Sequence, residues 1–304
     1  MLKHEPVLLE ETLKVLQVSK LAHLDNQARF IDATAGAGGH SFEIVKLGGN
    51  VLAMDSDKEM LELAKARLEE ACPPRQNELA GSFKLVNSNF RNIDQIARQN
   101  DFYPVDGVLI DLGISSVHYV SSSRGFSFQY PDAPLDMRLS PQTQSVMACD
   151  LLNGLREEQL ISVFKKAMPW PEAKMLVRRI VAKRLVKPYE KVGDFLEHFV
   201  KFGREKKTHP GTKAFLALRM AVNSELENIE EVIPASLSIL KRGGRIAIIT
   251  FHSTEDALVK DIFRKLVDEG LAKLITKKPI IPSEEEIRKN SKARSAKLRV
   301  IQKI

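Results

Sequence analysis

Cysteine is scarce. Cys72 and Cys149 are the two in 304 residues, and they show neither paired nor metal-ligand spacing, so a disulfide framework and a zinc site are both excluded and no metal is expected. A reducing, cytoplasmic setting is the expectation. Long apolar runs are missing as well: none approaches the ~18 residues that a membrane span needs. The first eleven residues are interrupted by Glu5, Glu10 and Glu11, so no signal peptide is expected there. Internal repeats and low-complexity tracts are also lacking, which leaves a globular protein long enough for one large domain or a domain carrying an insertion.

Charge is abundant and unevenly distributed. The net charge is +7, with 14 Lys and Arg against 8 Asp and Glu over residues 139–211, and 9 against 3 over residues 277–304. A mildly acidic body carrying two basic segments is what a phosphate-binding surface on an ordinary enzyme looks like. Either segment taken alone reads equally well as solvated helix faces.

Short β-branched runs alternate with helical stretches in the first third, the pattern of a doubly wound parallel sheet in an α/β fold. Strands are expected at 29–33, 50–54, 82–87, 105–112 and 245–250, with helices at 41–47, 58–70 and 93–99. A weaker pair at 272–276 and 297–301 reads as an antiparallel edge. Residues 143–202 offer only helical periodicity, and 212–240 reads as long helix leading into Gly243-Gly244. The expected organisation is a sheet domain of residues 1–138 and 212–304 interrupted by a helical insertion at 139–211.

The run Asp32-Ala33-Thr34-Ala35-Gly36-Ala37-Gly38-Gly39-His40-Ser41 falls between the first strand and the first helix, where glycines let a nucleotide-like ligand approach backbone. A dinucleotide fingerprint needs a third glycine where Ser41 stands, and Asp32 would face a pyrophosphate. The acid suits a cationic ligand, and S-adenosylmethionine carries a sulfonium and an ammonium without any phosphate. Asp55 closes the second strand where a carboxylate accepts ribose hydroxyls. Asp57 reads as the cap of the next helix, and Phe90 as core. Asp111 ends the fourth strand at the carboxyl edge, where α/β ligands bind, although an Asp there also caps turns.

These motifs occur in order with others: His4 with Pro6-Val7-Leu8, Asp111-Leu112-Gly113-Ile114-Ser115-Ser116, Arg124-Gly125-Phe126-Ser127-Phe128 and Pro134-Leu135-Asp136-Met137-Arg138. Ala217-Leu218-Arg219, Asn223-Ser224-Glu225-Leu226, Phe251-His252-Ser253 with Glu255-Asp256, and Arg294-Ser295-Ala296-Lys297-Leu298-Arg299 follow. Together they resemble, nearly end to end, the bacterial small-subunit (16S) ribosomal RNA cytidine-N4 methyltransferases, the RsmH or MraW family. The resemblance implies a Rossmann-like class I S-adenosylmethionine methyltransferase sheet with an inserted all-helical substrate domain. It implies cofactor contacts at Gly38, Gly39, His40, Asp55, Phe90 and Asp111, moving Phe90 from core to adenine. It also implies 16S rRNA as partner, in its decoding region and within the small ribosomal subunit, and it leaves a homodimer open. The family's Pro-Gln after the paired serines is Val117-His118 here, so the glutamine's cofactor contact passes to His118. Thr254, Ala257 and the stretch Pro169-Trp170-Pro171-Glu172 are further departures.

The N4 amine of cytosine is a poor nucleophile because its lone pair is delocalised, so methylation requires an oriented amine and a proton acceptor. Asp111 is the catalytic candidate. Tyr119, Phe126, Phe128 and Tyr130 are candidate rings for an extruded base, though each singly reads as packing. Arg124, Arg138 and His252 are candidates for RNA contacts, with salt bridges or loop anchoring as the competing reading. Lys174, Arg178-Arg179 and Lys183-Arg184 recur at helical spacing and form either an RNA-facing stripe or a solvated face. Two other functions fit parts of the pattern: a small-molecule or protein methyltransferase, and a non-enzymatic RNA-binding protein retaining a methyltransferase fold.

Overall fold

A computed structural model describes residues 6–24, 28–71, 81–115, 118–119, 124–199 and 209–304. His4, Cys72, Ser116 and Val117, used in the sequence reading, lie outside them. The chain divides into two compact units, Met1–Gly113 with Leu226–Ile304, and Ile114–Glu225.

The first unit is built on a seven-stranded sheet of order β3-β2-β1-β4-β5-β7-β6, where β1 is Arg29–Asp32, β2 Asn50–Asp55, β3 Phe83–Asn87, β4 Val105–Asp111, β5 Leu240–Thr250, β6 Ala272–Leu274 and β7 Lys297–Lys303. The strands β1 to β5 run parallel, and β7 is antiparallel to β5 and to β6. In β2 the stretch Val51 to Met54 is fully buried, as a central parallel strand covered on both faces demands. The α-helices of this unit are α1 Leu9–Val15, α2 Val18–Leu24, α3 Gly39–Lys46, α4 Lys58–Ala71, α5 Ile93–Gln99, α11 Glu225–Ile239, α12 Ser253–Asp268 and α13 Glu284–Lys289. They sandwich the sheet between two apolar layers, one containing Met54, Ile110 and Phe263, the other Phe30, Leu109 and Ile249.

All five strands expected from the sequence form, with ends shifted by a few residues. The largest shift is in β5, which starts at Leu240 and takes Gly243-Gly244 inside the strand, Gly243 at φ +85°. The antiparallel pair also forms, but only β6 is an edge. The β7 strand lies between β5 and β6 because Leu298, Val300 and Ile301 are fully buried.

The second unit contains α6 Ala148–Gly154, α7 Glu157–Phe164, α8 Trp170–Arg184, α9 Val192–Leu196 and α10 Thr212–Val222 around a separate core. Phe126, Leu135 and Met137 are buried in that core beside Leu160, Ile180 and Leu218. The helical unit therefore begins 25 residues before the expected 139 and extends past 211 to Glu225. Its start contains loops, which carry no helical periodicity to reveal them.

The expected long helix at 212–240 is two helices, α10 and α11. The break falls at Asn223-Ser224, with Ser224 in the left-handed region at φ 49°. Asn223 accepts the Leu139 N–H at 2.9 Å and donates to the Met137 carbonyl at 2.8 Å. Arg219 makes two parallel bonds to Glu225, at 2.8 and 2.9 Å, across the same corner. The Ala217 to Leu226 motif is thus a corner brace.

Candidate active site

Parallel register aligns the carboxyl ends of β1, β2 and β4: Asp32 pairs with Ala53 and Leu109, and Asp55 with Asn87. Three acids therefore stand along one edge, where open α/β sheets bind ligands. They do three different things.

Asp32 is buried and satisfied. Its Oδ2 accepts the Ser41 hydroxyl at 2.6 Å and its Oδ1 the Thr34 N–H at 3.3 Å, so it ties the glycine loop to α3. Burial pushes its pKa up to about 6, against the lowering effect of these hydrogen bonds and with help from the neighbouring Asp55 charge. Asp32, expected as the electrostatic partner of a cation, thus also has a structural role.

Asp55 pins the loop from the other side. Its Oδ2 accepts the Gly36 N–H and its Oδ1 the Asp57 N–H, both at 2.8 Å. A carboxylate oxygen can accept more than one hydrogen bond, and this carboxylate stands at the end of β2. Asp57 accepts the Glu59 N–H at 2.9 Å, the cap role expected for it.

Asp111 is the incompletely satisfied one. Its backbone N–H donates to Thr34 Oγ1 at 2.6 Å, its Oδ2 lies 3.8 Å from His40 Nδ1, and its buried Oδ1 has no hydrogen-bond partner among the described residues. Burial, then the charges of Asp32 and Glu255, hold its pKa well above the usual carboxylate range. His40 Nε2 is 3.1 Å from the Val7 carbonyl, which only accepts, so Nε2 carries a proton and Nδ1 is turned to Asp111.

The glycines divide by role. A Cβ on Gly38 would sit 3.0 Å from Ala64 Cα, and one on Gly39 would sit 2.6 Å from Pro6 Cγ, so both are required by packing. At Gly36, with φ +51°, a Cβ would meet nothing within 4 Å. The open approach to the loop lies there. Gly38 offers no side-chain cap to α3, whose N-terminus suits an anionic group. Phe90 follows β3 at the same edge, half-buried, in a turn held by the Asn89 cap and by Arg91 on Glu231.

Glu255 was quoted in the sequence only as part of a motif, and it has a role at this edge. Fully buried, it accepts the Phe251 N–H at 2.9 Å, and its own N–H donates to His252 Nδ1 at 3.3 Å. His252 Nε2 then lies 3.0 Å from Glu255 Oε1. The signal was available, since a polar residue with Glu three positions later opens a helix. Asp256 beside it is held by Arg299 at 2.6 Å and Lys297 at 3.0 Å.

His118, Arg124, Phe126, Phe128 and Arg138 belong to the helical unit and are described with it. His118 is buried, 5.4 Å from the Phe126 ring, and Phe128 stacks on His209 at 4.6 Å and meets Phe215 edge-on. Arg138 is clamped by Asp136 at 2.7 and 2.9 Å and by the Gln144 carbonyl at 2.8 Å, which fits the salt-bridge reading. Arg124 donates to the Leu139 carbonyl at 3.2 Å, anchoring a loop. Of the candidate rings, Tyr119 is the most exposed, at 40%. The cations of α8 separate: Lys183 bonds Glu197 at 2.7 Å and Arg184 caps the carbonyls of Leu152 and Leu155, whereas Arg178 and Arg179 are exposed.

A parallel sheet extended by an antiparallel pair of strands, with a glycine loop after β1 and acids ending β2 and β4, defines a Rossmann-like methyltransferase. The chain belongs to the MraW methylase family, which it matches over residues 1–304. It is 40% identical over 300 residues to the protein named Ribosomal RNA small subunit methyltransferase H in Dictyoglomus thermophilum, covering 98% of this chain and 95% of that protein. The protein of the same name in Carboxydothermus hydrogenoformans is 40% identical over 324 residues, covering 99% of this chain and 98% of that one. Among the described residues no helix is long and apolar enough to cross a membrane.

Proposed function

We propose that this enzyme methylates the N4 amine of a cytidine in 16S ribosomal RNA, in the decoding region, using the RNA as carried in the small ribosomal subunit. The observation that carries the reading is Asp111, a carboxyl with one buried, unpartnered oxygen beside the glycine loop. Such a group is costly to keep unless a ligand or a reacting proton completes it.

S-adenosylmethionine, when bound, supplies an electrophilic methyl group on a sulfonium. The residues fit it. The uncapped N-terminus of α3, at Gly38, Gly39 and His40, suits the carboxylate of its amino-acid end. Asp55 ends β2, where a carboxylate accepts ribose hydroxyls, and Phe90 offers a half-buried ring for the adenine. Asp111 is the acid available to a cation, since Asp32 is already engaged by Ser41 and Thr34.

Transfer of a methyl to an amine leaves a proton to be removed. A carboxyl with a raised pKa is a better base than an ordinary one, because the acceptor is then closer to the working pH. Asp111 orients the amine through its free oxygen and takes its proton, while His40 Nδ1, 3.8 Å from the other oxygen, faces it as an acceptor for the carboxyl once protonated. The helical unit carries the basic residues, among them the exposed Arg178 and Arg179, that meet the RNA backbone.

Mass spectrometry of ribosomal RNA nucleosides, from cells with and without the protein, tests the reaction. N4-methylcytidine present only with the protein is the expected result. Equal amounts in both would overturn the proposal.

A further inference from the structure

The motif running from Arg294 to Arg299 is only partly used by the fold. Lys297 and Arg299 both bond Asp256, at 3.0 and 2.6 Å. Arg294 is exposed and makes no hydrogen bond or ion pair among the described residues. It borders a cavity of about 280 Å³ whose other walls include the Phe251 ring, Ile281, Pro282 and Ile287. Ile281 is 65% exposed, an apolar side chain left in water on the rim of a cavity with a cation across it.

We propose that this cavity holds one nucleotide of the RNA, a neighbour of the methylated cytidine, with its base against Phe251 and Ile281 and its phosphate on Arg294. The inference rests on the reading of the enzyme as an rRNA methyltransferase and deepens it by naming a subsite. An aromatic ring and apolar walls beside a cation are what a base and its phosphate require. The volume is near the lower end of small-ligand sites and suits one unit of a polymer. Charge agrees, because residues 277–304 hold 9 Lys and Arg against 3 Asp and Glu. Two of those three acids are engaged, Glu285 by Lys289 at 2.7 Å and Glu286 by the Leu8 N–H at 2.7 Å.

The walls include neither Asp111 nor the glycine loop, so the reacting cytosine is held elsewhere. They are nevertheless close in the chain's architecture. A Cβ on Gly113, two residues beyond Asp111, would meet the Phe251 ring at 3.1 Å, so that ring links the cavity to the end of β4.

The test uses the full-length protein and small ribosomal subunits lacking N4-methylcytidine. Arg294→Ala removes the phosphate contact and Ile287→Trp fills the cavity, while Arg288→Ala removes an exposed cation that does not line it. Filter binding across a salt titration is expected to weaken about tenfold for the first two variants and less than twofold for the third. The dependence of log affinity on log salt should become shallower by about 0.7 for Arg294→Ala. Affinity for S-adenosylmethionine, measured by calorimetry, should match the wild type in all three. Wild-type binding by both Arg294→Ala and Ile287→Trp overturns the subsite, as does equal weakening by Arg288→Ala. Formation of N4-methylcytidine by the wild type on the same subunits reports separately on the underlying function.

Discussion

Buried carboxylates in the two units are treated in opposite ways. In the helical unit Asp194 is buried, yet hydrogen bonds from Lys187 and from the N–H groups of Lys191 and Glu190 outweigh that burial and bring its pKa down to about 2. In the sheet unit Asp32 is pushed up to about 6, and Asp111 is held well above its usual range with one oxygen unpartnered. An acid saturated with donors is a brace. Asp111, crowded by Asp32 and Glu255 at the carboxyl edge of the sheet, stores unfavourable charge that a cationic ligand or an accepted proton relieves.

The sharpest way to break this contrast is Asp111→Asn, which keeps the shape of the side chain and removes the base. Methylation of small subunits should fall by at least about a hundredfold, while the protein folds and still binds S-adenosylmethionine. Near wild-type turnover in a nucleoside assay would remove Asp111 from the chemistry, and collapse of calorimetric affinity along with activity would make it a binding residue only.

Next in size is Asp194→Ala, which strands two backbone donors in the helical unit. A loss of roughly 2–4 kcal/mol in urea unfolding is expected, without any change in cofactor affinity. For the native protein the contribution of Asp194 is present above the ordinary carboxylate range and is lost as pH falls toward about 2.

Asp32→Asn should act with the opposite sign. The folded-state pKa of Asp32 is about 6, above the ordinary 3.8, so protonation favours the folded state. The penalty is absent below about pH 4 and complete above about pH 6, reaching at most about 3 kcal/mol. The amide variant should therefore gain thermal stability over the wild type at pH 8 and lose that gain near pH 4. A melting-temperature difference independent of pH would show that Asp32 is not held against its charge.

Asp55→Ala removes the acceptor that positions both Gly36 and Asp57, and calorimetry should report cofactor binding about tenfold weaker. The smallest effect is expected for Arg178→Glu with Arg179→Glu. Affinity for small subunits should drop severalfold with a shallower salt dependence, and cofactor affinity should stay as it is. Unchanged RNA affinity across the titration would return those arginines to the role of a solvated face.

The strands of the sheet were legible because central parallel strands leave apolar runs such as Val51 to Met54, and the loop after β1 because glycines and acids are rare together there. Asp57 was legible as a cap by its place before a periodic helix. The corner at Asn223-Ser224 was not, since helical periodicity continues through it and only bonds to Leu139 and Met137 reveal the turn. Arg138 and Lys183 were equally opaque. A cation in a sequence does not disclose whether Asp136 or Glu197 will stand beside it.

Local chemistry alone thus determined the order of strands and helices, the glycine loop, and the set of acids that end β1, β2 and β4. It did so because propensity, periodicity and capping act within a few residues. Tertiary structure decided which of those acids is a brace and which is left reactive, since that depends on Ser41, Thr34, His40 and Glu255 arriving from other elements. It also decided where the helical unit begins, because Phe126 and Leu135 join its core only when segments distant in sequence close around them.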